Sequence, residues 1–302
     1  MEDHQPGIPH LAYEAIRRLF ADEAIPLAGN IAFRVIFSLF PFLIFLTTLA
    51  GFIGNDGLAQ RVVTFLLSVA PRHLVDPLAP EIRSILTTPR TGLASVAALL
   101  TVWSAMGGVD CLRVALNRAY DLREHRSIPH LYAVDILFVF GSAAGMMLFS
   151  TLMIFAPVAI NVVDAYAPGF RLSLGWLDTL RVPLAMLLLT LGLLIGHRWL
   201  PARRLAIREV LPGVILTVLA WAVMAIAFTA YLVRFNTFAS TYASLSGVFA
   251  AMFFVYLAAL VLILGGEVNR VLASHRLTRS VHPSTEEIAV VEDAEDDKRG
   301  GA

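Results

Sequence analysis

Lysine is almost missing from this chain. Lys298 stands alone, so arginine supplies nearly all of the 23 basic residues. Charge of any kind is scarce, at 15% of residues against the roughly 25% that a soluble domain normally uses to cover its surface. One cysteine, Cys111, excludes an intramolecular disulfide, and no Cys/His spacing has the form of a zinc site. The eight histidines form neither HxH nor HExxH, and no GxSxG or P-loop pattern occurs. Metal-dependent nuclease chemistry, acyl hydrolysis and ATP-driven pumping within this chain therefore lack residues to carry them. Catalytic residues, metal and cofactors are all expected to be none. Net charge is zero, which gives no reason to expect a nucleic acid partner. The chain also opens without a basic segment leading into a short apolar one. No cleaved signal peptide is expected, and the first membrane helix serves as the insertion signal.

What the chain has in excess is apolar surface: 58% of residues are hydrophobic, and they are gathered into long blocks. A bilayer core about 30 Å thick takes roughly 20 apolar residues in a helix rising about 1.5 Å per residue. Six stretches meet that requirement, at 30–53, 92–111, 131–160, 176–200, 210–235 and 242–271. The third and sixth exceed a perpendicular span and imply tilt or extension beyond the lipid. The expected fold is all-α, a polytopic bundle of six transmembrane helices with additional short amphipathic helices. The membrane domain runs over 28–275. Before it, 1–27 forms an amphipathic cytoplasmic segment in which Leu11, Ala12, Ile16, Leu19 and Phe20 share a face. After it, 276–302 is an acidic tail expected to be disordered.

Orientation follows from the arginines. Arg17 and Arg18 precede the first span. Arg113, Arg118, Arg123 and Arg126 follow the second, Arg198, Arg203, Arg204 and Arg208 follow the fourth, and Arg270, Arg276 and Arg279 accompany the sixth. This places both termini in the cytoplasm. The outer loop, about 54–91, carries apolar clusters separated by Pro71, Pro77 and Pro80. Two short amphipathic helices are expected there, with a solvated loop as the plain alternative.

Several runs resemble the YihY/BrkB family of bacterial inner-membrane proteins. They are Asn30-Ile31-Ala32-Phe33-Arg34 with Ser38-Leu39-Phe40-Pro41, then Trp103-Ser104 and Leu116-Asn117-Arg118-Ala119-Tyr120. Arg208-Glu209-Val210-Leu211-Pro212-Gly213, Tyr242-Ala243-Ser244-Leu245 and Gly265-Gly266-Glu267-Val268-Asn269 continue the series. Arg34 stands where the family usually has an aromatic residue, and Ala243 where it usually has glycine. The family was formerly labelled ribonuclease BN. The resemblance implies a six-helix envelope protein engaged in transport or lipid handling.

Asn30, Arg34, Ser38, Pro41 and Thr48 fall on one face of the first span. An arginine at the centre of a membrane helix costs roughly 2.5–3.5 kcal/mol, so Arg34 is expected to face protein or water, or to snorkel to lipid phosphate. Pro41 frees the Phe37 carbonyl, which Ser38 is placed to help satisfy. The functional reading is a hinged polar face lining a cavity open to the cytoplasm, with Glu267 the favoured partner for Arg34 ahead of Asp110 and Asp135. The plain reading is a structural kink. Gly141/Gly145 and Gly192/Gly196 have GxxxG spacing, which suits close helix packing. Asn117, Tyr120, Glu124 and Arg126, with Arg204, Arg208 and Glu209, read either as a cytoplasmic gate or phospholipid-headgroup site, or as ordinary topological arginines and their neighbours. The leading functional expectation is a transporter or lipid-translocating protein without its own ATPase, with membrane lipids as partners. The alternative is a non-transporting scaffold for envelope assembly that meets another envelope protein through the outer loop. Ribonuclease activity is disfavoured.

Overall fold

The computed structural model describes residues 7–53, 91–158, 160, 170–235 and 243–281. The described residues form seven helices: α1 (Ile8–Ala21), α2 (Ala24–Ile53), α3 (Thr91–Ala119), α4 (Ile128–Ser150), α5 (Phe170–Trp199), α6 (Ile207–Phe235) and α7 (Ala243–Val281). Six of them, α2 to α7, are long and apolar enough to cross a membrane, as the sequence predicts. The chain is an all-α membrane protein. Its outward surface carries Leu99, Trp103, Phe140, Met147, Leu219, Val223 and Ile226, all largely exposed. A soluble monomer does not show an apolar surface of that extent, whereas lipid covers it without cost. The outer loop with its two expected helices lies outside the described residues.

Proline and left-handed residues set the breaks. Pro157 has no amide to offer Met153, and just before it the chain widens into one π-helical turn over Thr151–Phe155. Pro212, inside α6, leaves the Arg208 carbonyl without its helical donor, and Arg276 Nη1 reaches that carbonyl at 3.4 Å. The same contact sits where α7 carries on to Val281. The first residues expected to belong to a disordered tail are therefore helical, because Arg276 is docked on α6. Positions 282–302 lie outside the described residues.

Two acids take left-handed backbone conformations, Glu23 with φ 56° and Asp121 with φ 51°. Neither is glycine, so each is strained, and each holds an arginine across a helix boundary. Glu23 pairs with Arg118 of α3, and Asp121 pairs with Arg270 of α7 at 2.8 Å. Asp121 also sits in a closing turn in which the Leu122 amide donates to the Asn117 carbonyl at 2.7 Å.

Small residues let the central helices approach. Ala24, Ala28 and Ala32 recur every fourth residue along α2 and are buried, as are Cys111, Ala115 and Ala119 along α3. These stripes meet Ala259 and Ile263 of α7. Lipid offers no hydrophobic drive between helices, so dispersion across such flat faces supplies the attraction. A second cluster of Leu116, Leu193, Leu200, Val214, Val218 and Leu262 ties α3, α5, α6 and α7 together. The two GxxxG pairs have another environment. A Cβ on Gly141, Gly145, Gly192 or Gly196 would meet nothing within 4 Å, so neither pair packs another helix among the described residues. The tight approaches lie at Gly213, Gly265 and Gly266 instead.

α1 packs on the end of α7 through Ala15 and Leu19. His275 Nε2 lies 3.1 Å from Glu14, which also takes Arg18 at 3.2 Å. The bond to His275, ahead of Arg18, holds the Glu14 carboxyl below its ordinary value. Of the expected apolar face of α1, Leu19 is buried, while Ile16 and Phe20 are exposed at the same end of the bundle.

Candidate functional site

Three helix faces converge on a cavity of about 630 Å³. α2 contributes Asn30, Phe33, Arg34 and Phe37. α3 contributes Trp103, Met106, Gly107, Asp110 and Arg113, with Ser104 beside them. α4 contributes Ile128, Leu131, Tyr132 and Asp135. Every set repeats at three- and four-residue spacing, which is the condition for one helical face. The rim is aromatic: Phe33, Phe37, Trp103 and Tyr132 are each more than half exposed on the apolar surface. The cavity thus opens sideways, toward lipid.

Arg34 lies across this cleft. Its Nε donates to Asn30 Oδ1 at 3.4 Å, one turn back on α2. Its guanidinium lies directly over Gly107, in space that a side chain there would fill. Among the described residues no carboxylate comes within ion-pair distance of Arg34, so none of them neutralises its charge. Arg113, at the back of the cleft, is spent differently. It is 5% exposed, pairs with Asp110, and lies 3.8 Å from Asp135 and 3.7 Å from Glu124.

The other members of the expected polar face part company with Arg34. Ser38 is half-buried, does not line the cleft, and donates to the Val35 carbonyl at 2.7 Å rather than helping at Phe37. Pro41 is buried within a helix that continues through it to Ile53. Thr48 donates to the Ile44 carbonyl at 2.6 Å. Glu267 does not pair with Arg34. It is fully buried, and the acid set beside it is Asp22, in the corner between α1 and α2. The favoured pairing fails because Gly265 and Gly266 bring α7 against α6 and α3, turning Glu267 toward the α1–α2 corner.

The expected gate or headgroup motif does come together, as a clamp between helix ends. Asn117 Oδ1 accepts from the Ala202 amide at 2.7 Å, and its Nδ2 donates to Glu124 at 3.2 Å. Arg126 donates to Glu124 at 2.9 and 2.8 Å and to the Leu200 carbonyl at 2.9 Å. These bonds fasten the α5–α6 connection to the end of α3. Tyr120 extends the clamp inward. Asn269 Nδ2 donates to its hydroxyl at 2.9 Å, and the hydroxyl lies 2.8 Å from His197 Nδ1. Burial pushes the Tyr120 phenol above its ordinary value, so it keeps its proton and donates it to His197. Asn269 Oδ1 in turn accepts the Gly213 amide at 2.6 Å. One chain of bonds thereby links α3, α5, α6 and α7. His197 is fully buried in that chain, though nothing in its local sequence marks it.

Arg204 and Arg208 stay at the exposed edge. Arg204 lies 5.5 Å above the Trp199 ring, and Arg208 gives only its carbonyl, to Arg276. Glu209 accepts the Ala206 amide at 3.2 Å, capping α6, and lies 3.8 Å from Arg203.

Two predictions arise here. Tyr120→Phe leaves Asn269 and His197 each short of a partner within the bundle and should cost about 1–3 kcal/mol. Thermal unfolding in detergent checks this, and an unchanged midpoint contradicts the clamp. Glu124 is held down from 4.5 to about 2, first by its side-chain bond to Arg126. Its contribution to stability is present above pH 4.5 and drains away as pH falls toward about 2. Glu124→Gln should flatten that part of the stability–pH curve while leaving the rest in place.

Comparison with known proteins adds two findings. The family model described as Virulence factor BrkB matches residues 15–288. YfkH of Bacillus subtilis (strain 168), described as ribonuclease-like, is 24% identical over 270 residues, covering 89% of this chain and 98% of YfkH. No solved structure matches the chain.

Proposed function

The chain belongs to the BrkB family, and on that premise we propose that it translocates a phosphate-bearing amphiphile across the bacterial cytoplasmic membrane without an ATPase of its own. One observation carries this reading: an arginine with no carboxylate partner among the described residues lies in a cleft whose aromatic rim faces the apolar surface. A guanidinium in that position presents a planar fork to a phosphate, while the acyl chains stay in the bilayer beyond Phe33, Phe37 and Trp103. An unpaired charge at this depth is costly, and a transient anionic headgroup offsets the cost. The ribonuclease-like description of YfkH belongs to that protein. Among the described residues of this chain, no three of His, Cys, Asp and Glu gather as a metal-binding group. We read the protein as no enzyme.

The clamp of Asn117, Tyr120, Glu124 and Arg126 is the gate in this scheme, and Arg204 and Arg208 attract headgroups at its edge. Reconstituted vesicles test the proposal. Protein-containing vesicles should expose an inner-leaflet, headgroup-labelled phospholipid to an external quencher faster than protein-free vesicles. Equal rates would favour the scaffold reading.

Orientation is part of the same proposal. In a Cys111→Ala background, Arg126→Cys and Arg204→Cys should react with an impermeant thiol reagent only when the cytoplasmic face is open to it. Labelling of intact cells would reverse the topology.

A further inference from the structure

Glu267 is 0% exposed, and among the described residues no hydrogen-bond donor reaches either of its carboxyl oxygens. It leaves α7 one residue after Gly266, whose missing side chain lets α7 close on Ala119 of α3. Leu19 and Ala24, on either side of the short corner between α1 and α2, share a buried cluster with Ile263, one turn before Glu267 on α7, and this sets a second acid, Asp22 of that corner, beside it.

The surrounding charges do not resolve this. Arg18 from α1 and Arg270 from α7 act on the corner through space, and Tyr120 faces it from α3. Yet Arg18 is bonded to Glu14 at 3.2 Å and Arg270 to Asp121 at 2.8 Å. Two ionised carboxylates set side by side, with one of them wholly out of water, would repel each other and forgo hydration. A single proton removes both penalties, because it turns one acid into a donor for the other.

We propose that Glu267 and Asp22 share one proton, making the corner where α1, α3 and α7 meet a proton-binding site within the bundle. Glu267, the fully buried partner, carries the O–H and donates to the half-buried Asp22 carboxylate. No bond other than O–H forms or breaks. The corner also begins α2, the helix that bears Arg34, and Glu23 beside it is tied to Arg118. Gain or loss of this proton therefore acts on a helix that walls the cleft. The site stands independently of what the cleft carries.

Infrared difference spectroscopy of the full chain in lipid tests it, in light and heavy water. The wild type should show the carbonyl stretch of a protonated carboxylic acid at neutral pH, shifted on deuteration and missing in Glu267→Gln. In Asp22→Asn, which keeps Glu267 itself, that band should be displaced or lost, since an amide oxygen accepts more weakly than a carboxylate. Absence of the band from wild type, its full retention in Glu267→Gln, or an unmoved band in Asp22→Asn would each overturn the proposal.

Discussion

Gly213→Ala is expected to break the bundle where α6 crosses α7. A Cβ at Gly213 would run into the carbonyl oxygen of Gly265 and come within 2.6 Å of the Asn269 side chain. The first of these neighbours is backbone and cannot rotate away, so the helices must separate. Separation also breaks the bond from the Gly213 amide to Asn269 and loosens the link from Asn269 to Tyr120. Overpacking of this kind and the stranded polar groups together cost about 3 kcal/mol or more. That is a large part of the roughly 5–15 kcal/mol that holds a folded protein together. Gly265→Ala should behave alike, since its Cβ would meet Thr217 Oγ1 and, at 2.8 Å, the Gly213 carbonyl oxygen. Gly196→Ala, with nothing within 4 Å, is the control and should unfold like wild type. Thermal unfolding in one detergent compares all four proteins. If Gly213→Ala matched the control, the close crossing would be wrong.

Arg34→Gln should lower phospholipid translocation in vesicles by roughly tenfold to a hundredfold, the factor expected when a hydrogen bond to a charged group is lost. The helix should survive the change, because among the described residues Arg34 forms no ion pair and its bond to Asn30 is long, at 3.4 Å. Gly107→Ala offers a second route to the same result. Its Cβ would occupy the place of the Arg34 guanidinium, the far end of a flexible side chain that can move aside. The variant should therefore fold normally, keep the arginine, and still lose transport. Full transport in Gly107→Ala together with loss in Arg34→Gln would mean that Arg34 acts from somewhere other than the cleft.

The membrane architecture was legible in the sequence because it rests on length and hydropathy alone. Apolar runs near 20 residues have one stable setting, and all six appear as helices. The cleft was half legible. Asn30 and Arg34 betray themselves as polar residues one turn apart on an apolar helix, and Asp110 and Asp135 were marked as sharing their depth. Gly107, Trp103 and Tyr132 carry no such sign, since small and aromatic residues occur throughout these spans. The partner of Glu267 was misread for a related reason. Depth along the membrane can be inferred from position in a span, but the direction a helix faces depends on its neighbours. Gly213 and Gly265 decide that direction, and they have no GxxxG spacing. The Ala24–Ala28–Ala32 and Cys111–Ala115–Ala119 stripes held the packing information that the GxxxG pairs were expected to hold.

The central claim is that the cleft between α2, α3 and α4 receives a lipid headgroup at Arg34. Native mass spectrometry of protein released from lipid nanodiscs measures this without assuming a direction of transport. Wild type should emerge with a bound phospholipid, and Arg34→Gln should emerge without it. A wild type that emerges bare, or a variant that keeps the same lipid, would contradict the claim.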